Sequence, residues 1–196
     1  MKKYMVLMMV VFIAISAVAH AAVPSKTTQD MTKVTSVVSA SGVPLGDDFA
    51  VELVQEAPAA TQELAKVAAV VSEGASPATY FADKEADIAL LVPEDFDINV
   101  LELNEFSPLT AINYDASYGD VVVSFEFVTE YIDGQVVVAM LGIVVGENDD
   151  GTALVEWYAL RAEVVDGLVQ VHFTQDILAL LNGAEAMIAI LSEPIA

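Results

Sequence analysis

Apolar and polar residues alternate most sharply in the second half of the chain. Val121, Val123, Phe125, Phe127 and Tyr131 alternate with Asp120, Ser124, Glu126 and Glu130, the two-residue period of a strand buried on one face. Asp133-Gly134 follows, and this dipeptide between apolar runs predicts a hairpin with a two-residue loop. That register sets Phe127 opposite Met140 and Phe125 opposite Gly142, where an aromatic ring would cover bare strand backbone. The partner run, Val136 to Val145, is apolar on both faces, as in a central strand covered on both sides.

A second hairpin is predicted at Asp166-Gly167. Counting outward pairs Val164 with Val169, Ala162 with Val171 and Leu160 with Phe173, all apolar. The other face pairs Glu163 with Gln170 and Arg161 with His172. A one-residue slip would scramble both faces at once, so the double match supports the register. Glu147 to Gly151 is a connecting turn between the hairpins. Thr174 can cap a short helix that carries Asp176 in its first turn and stops at Asn182-Gly183, and Ala186 to Leu191 is a final strand.

The first half is more mixed. Phe49, Val51 and Leu53 alternate with Ala50 and Glu52 and suggest a strand. Pro58 to Glu73 is the best helix, with Leu64, Val67, Ala68 and Val71 on one stripe, Pro58 in the first turn and Gly74 at the stop. Short strands are predicted over Ala86 to Val92, Val100 to Phe106 and Leu109 to Tyr114, separated by turns at Pro93 to Asp97 and Ser107-Pro108; Asp115 to Gly119 is a further turn. With seven or eight strands and one good helix, the expected fold is mainly β, an antiparallel, immunoglobulin-like β-sandwich with an early helix and a short C-terminal one. The alternative is an α+β fold in which the early helix packs on a sheet face. The expected core is Phe125, Phe127, Met140, Val144, Leu160, Val169, Val171 and Phe173, with Leu64, Val67 and Val71 from the helix.

The N-terminus predicts a compartment. Lys2 and Lys3, an uncharged apolar run from Met5 to Val18, and Ala19-His20-Ala21 form the three parts of a secretory signal peptide. Cleavage is expected after Ala21, and the run is short for a transmembrane anchor. Residues 1–21 are then a leader, 22–46 a polar N-terminal segment, and 47–196 a single β-rich domain. The expected location is secreted or extracellular, in association with the cell surface or free, and no later run is long enough to span a bilayer as a helix.

The formal net charge of −22 becomes two units more negative when Lys2 and Lys3 are removed. Such a surface repels phosphate backbones and excludes nucleic acid as a partner. The chain has no cysteine, which excludes disulfides, a thiol nucleophile and thiolate metal sites.

Candidate chemistry is sparse. After cleavage His172 is the single histidine; it is expected on a polar strand face beside Arg161, an environment unsuited to a general base. Glu126, Glu130, Glu156 and Glu163 supply carboxylates of the kind glycosidases use in pairs. Calcium is the cofactor that Asp47-Asp48, Glu94-Asp95-Asp97 and above all Glu147, Asn148, Asp149 and Asp150 could hold, because hard cations take oxygen ligands; no cluster matches a twelve-residue calcium loop, and each fits an ordinary polar turn equally. Trp157 points to the opposite face from Tyr158 and the same face as Arg161. The two make a candidate protein- or glycan-contact patch, unless a helix or strand covers the indole.

Strand Val164, Asp166-Gly167, Val169-Gln-Val-His-Phe173, the capped helix from Thr174 to Leu181 and the run Met187 to Ser192 together resemble the last part of uncharacterised secreted or cell-surface β-sandwich modules of Gram-positive bacteria. The resemblance covers about 29 residues, implies location and fold, and assigns no site. The leading functional expectation is an exported, non-enzymatic binding or structural module. Its rivals are a small secreted carboxylate hydrolase and a calcium-dependent adhesion module.

Overall fold

The computed structural model describes residues 32–45, 49–54 and 57–194. The signal-peptide reading and Asp47-Asp48 therefore lie outside the described residues. The fold is mainly β. Eight strands, β1 (Lys33–Ser39), β2 (Ala50–Leu53), β3 (Glu102–Ile112), β4 (Val121–Glu126), β5 (Val137–Glu147), β6 (Ala153–Val165), β7 (Leu168–Phe173) and β8 (Ala186–Ser192), form one sheet in the order β1-β4-β7-β6-β5-β8-β3-β2. Every ladder is antiparallel. The end strands β1 and β2 come close to each other, so the sheet is nearly a barrel. The strands expected as two facing sheets are thus hydrogen-bonded into one. The sheet begins at Lys33, inside the polar segment expected to precede the domain.

Helices α1 (Pro58–Ser72), α2 (Pro77–Tyr80) and α3 (Glu85–Ala89) cover one outer face, and α4 (Gln175–Leu181) plugs one end. Two apolar layers result. Inward residues of all eight strands, among them Val51, Val123, Phe125, Leu141, Leu160, Val171 and Ile188, fill the barrel together with Leu178 and Leu181 of α4. The outward faces of β5 and β8, with Val138, Met140, Met187, Ala189 and Leu191, meet Val67, Phe81, Ile88 and Leu101 under the helical cover. This explains why β5 is apolar on both faces, as expected, and why all of β8 is buried.

The Asp166-Gly167 hairpin forms in the expected register, with Val164 opposite Val169, Ala162 opposite Val171 and Glu163 opposite Gln170. Both turn residues have positive φ, 53° and 74°, the type I′ backbone that matches strand twist. The ladder stops at Ala162. Beyond it β6 pairs with β5, so Leu160 faces Ala139 and Arg161 faces Val138 rather than Phe173 and His172.

The Asp133-Gly134 hairpin does not form. A turn is present there, with the Gln135 N–H donating to the Ile132 carbonyl at 2.9 Å, but only Gly134 has positive φ. Without the I′ geometry the flanking segments diverge. β4 lies between β1 and β7, and β5 between β6 and β8. The aromatic cover expected over Gly142 does exist, but it comes from Trp157, directly opposite on β6, rather than from Phe125.

Three further expectations are corrected. Within Ala86 to Val92, residues 86–89 are helical and 90–92 form a turn: a 3-10 turn at Ala82–Lys84 runs into α3, where Glu85, Ala86 and Asp87 are exposed and only Ile88 is fully buried. The two strands expected on either side of Pro108 are one strand, β3. Pro108 is tolerated because β2 ends at its level, so its missing N–H interrupts no ladder there, while its carbonyl accepts the Val54 N–H at 3.1 Å. Helix α1 is rotated from the expected stripe. It buries Ala59, Ala60, Glu63 and Val67, while Leu64 and Val71 are exposed at 39% and 38%.

Candidate functional site

The acidic turn from Glu147 to Asp150 joins β5 to β6. Its polar atoms are tied locally: Asp150 Oδ1 accepts the Thr152 N–H at 3.0 Å and hydroxyl at 2.6 Å, and the Asn148 amide donates to Thr152 Oγ1 at 3.0 Å. These bonds to Thr152 hold the Asp150 carboxyl below its ordinary value. Among the described residues no group of three or more His, Asp or Glu side chains is arranged to hold a metal ion.

Trp157 and Arg161 part company. Trp157 is 8% exposed and lies beneath the helical cover, its ring edge-on to Phe81 (centroids 4.9 Å apart), Tyr80 (6.3 Å) and Phe106 (6.3 Å). The structure therefore gives Trp157 the covered position. Arg161 lies on the open outer face, where its guanidinium approaches Glu163 Oε2 at 3.5 Å. Glu163 Oε1 is 3.0 Å from His172 Nε2. His172 thus sits opposite Val122 on β4 with a carboxylate beside it, and Arg161 is its neighbour only through Glu163. Glu126 pairs with Lys33 at 2.9 Å on the same side of the barrel.

The chain matches no family model, no curated protein and no solved structure. Any reading of the site must therefore come from its chemistry.

Two buried polar groups were not legible as site residues. Glu63, on the buried face of α1, accepts the Tyr80 hydroxyl and the Lys66 ammonium. Burial first, and then the bond and charge of Glu63, push the Tyr80 hydroxyl well above the ordinary tyrosine value. This trio ties α1 to α2 directly above Trp157. The signal for it was that Glu63 shares a helical face with Ala60 and Val67, with Lys66 three residues on.

The second group sits at the barrel end opposite α4. Residues 127–136 leave β4 and cross this end to reach β5. Phe127 stacks on Phe125 (5.5 Å, 12°) and packs against Tyr131 (6.0 Å). Tyr131 is 5% exposed, and its hydroxyl makes no hydrogen bond to a described residue. Glu105 comes from β3, opposite the inward-facing Ile190 of β8, and accepts the Thr129 N–H at 3.0 Å. Burial raises the Glu105 carboxyl above its ordinary value, and the bonds from Thr129 offset this only in part. A bulge between Leu103 and Glu105 turns Glu105 inward. Its sequence signal is the spacing Leu103, Phe106, which breaks the two-residue period.

Proposed function

We propose that this chain is an exported, non-enzymatic module that works by binding or as a structural part of a cell-surface or secreted assembly. The observation that supports this most is the filling of the barrel. Inward side chains from every strand pack its interior, α4 closes one end, and the 127–136 segment closes the other. Barrels that take a ligand inside leave room for it there; among the described residues side chains pack this interior, which supports recognition on the outer surface. The β1-β4-β7-β6 outer face, with Arg161, Glu163, His172, Gln170 and the Lys33–Glu126 pair, is the part of the sheet that the helices leave open. The sandwich reading can be kept in a modified form: β6 pairs with β5 along one half and with β7 along the other, turning the corner between two half-sheets.

Expression of the full chain in a secreting bacterial host, followed by fractionation and intact-mass measurement, tests export. A product outside the cytoplasm that begins at Ala22 is expected, and an uncleaved cytoplasmic product overturns this part. Incubating the mature protein with a panel of polysaccharides tests the absence of catalysis. Turnover lost on Glu163→Gln or Glu126→Gln overturns the non-enzymatic reading in favour of a carboxylate hydrolase. A calcium-dependent rise in thermal stability that chelator reverses favours the calcium module instead.

A further inference from the structure

The 127–136 segment is anchored at three places across the barrel end, the last reinforced by Gln135, which donates to Ser192 Oγ and the Glu193 carbonyl, and by the Glu193 N–H, which donates to the Val136 carbonyl. The Thr129 N–H donates to Glu105 of β3 at 3.0 Å; Asp133 Oδ1 accepts the Gly167 N–H from the β6–β7 turn at 3.0 Å; and the Val136 N–H donates to Glu193 beyond β8 at 3.1 Å. The Asp133 anchor lies in an exposed turn, and the Glu193 anchor is half-buried just after β8. The Glu105 anchor faces the barrel interior beside the partnerless Tyr131 hydroxyl. We propose that the 127–136 segment is a pH-sensitive lid over this end of the barrel, with Glu105 as the group that sets how firmly it is shut.

The sign follows from burial. Partial burial of a carboxyl favours its neutral form, so closing the lid over the half-buried Glu105 takes up a proton. The closed state is therefore fully stabilised below the ordinary carboxyl value. That stabilisation is lost as the pH rises through the raised value of the closed state. The neutral carboxyl still accepts the Thr129 N–H, and it adds a donor beside Tyr131. The other titratable groups at this end are Glu102 at the start of β3, Glu126 of β4 with its partner Lys33 of β1, Glu130, Tyr131 and Asp133 of the lid, Asp166 of the β6–β7 turn, and Glu193 after β8. Lys33 is the single cation in this set.

Hydrogen exchange of the mature protein tests the proposal, comparing the Thr129 and Gly167 amides between pH 5 and pH 8 after correction for intrinsic exchange. In the wild type, corrected exchange of Thr129 is expected to rise by about threefold or more toward pH 8. Glu105→Gln keeps an acceptor for Thr129 but cannot ionise, and its protection is expected to be independent of pH. Asp133→Ala removes an anchor distant from Glu105; it is expected to raise exchange at both pH values while the pH dependence persists. A pH-independent wild type, a dependence of opposite sign, or a dependence retained in Glu105→Gln overturns the proposal.

Discussion

Trp157→Ala probes how the helical layer is held to the sheet. The indole is 8% exposed, meets three aromatic rings edge-on and covers Gly142. Removing a buried Trp leaves a cavity and costs about 3–5 kcal/mol, of which aromatic pairs contribute about 0.5–1.5 kcal/mol each. Against a typical total of about 5–15 kcal/mol this is a large loss, and it lowers the melting temperature by about 6–20 °C in a chain of this size. A second substitution sharpens the test. A Cβ added at Gly142 would stand 3.0 Å from the indole and 3.0 Å from Val155. Gly142→Ala alone should therefore cost about 1–3 kcal/mol through overpacking. With the indole gone only Val155 must still give way, so Gly142→Ala should cost less in the Trp157→Ala background than alone, under about 1 kcal/mol. Urea unfolding followed by far-ultraviolet circular dichroism measures all four proteins without relying on the single tryptophan. A loss below about 1 kcal/mol for Trp157→Ala, or additivity of the two changes, refutes the assignment of Trp157 as the clamp between the layers.

Further outcomes follow from other positions. Tyr131→Phe removes a buried hydroxyl that makes no hydrogen bond among the described residues and should stabilise the protein by about 1–3 kcal/mol in the same unfolding assay; a destabilised variant would mean that the hydroxyl has a partner. Gly167→Ala places a side chain at φ 74° in the β6–β7 turn and should cost about 1–2 kcal/mol, whereas alanine at Gly146, which has open space and no positive φ, should change stability by under about 0.5 kcal/mol. Asp115 and Asp150 are both held below the ordinary carboxyl value by local hydrogen bonds, so their turns keep this support above that value and lose it as the pH falls; their carboxyl chemical shifts should titrate below the ordinary aspartate value.

What could be read from the sequence was local. The β6–β7 register was legible because both faces of both strands matched at once, and the Thr174 cap because its hydroxyl needs only the Ile177 N–H three residues on. The central position of β5 followed from apolar residues on both faces, whereas that of β8, read only as a final strand, did not. The misread features depend on distant partners. Asp133-Gly134 and Asp166-Gly167 are the same dipeptide. The first is drawn into a different turn because Tyr131 is buried in the core across the barrel end, with the half-buried Phe127 packed against it. Helix α1 turned its Leu64 stripe outward because Glu63 found Tyr80, which no window around the helix contains. At the candidate site, the sequence identified the face of Trp157 but not the Phe81 and Phe106 rings that cover it. Glu105 was hidden because its inward aim depends on a bulge.

The place of β8 in the sheet has a consequence for how the molecule is made. It lies between β5 and β3, two strands that precede it in the chain, and its ladder to β3 spans more than half the described length. A nascent chain emerging N-terminus first therefore carries two sticky, half-zipped edges until the segment from Ala186 follows. A chain built in this order stays pliable for most of its synthesis and locks into shape only at the end, when one late ribbon slides into the gap and joins both sides.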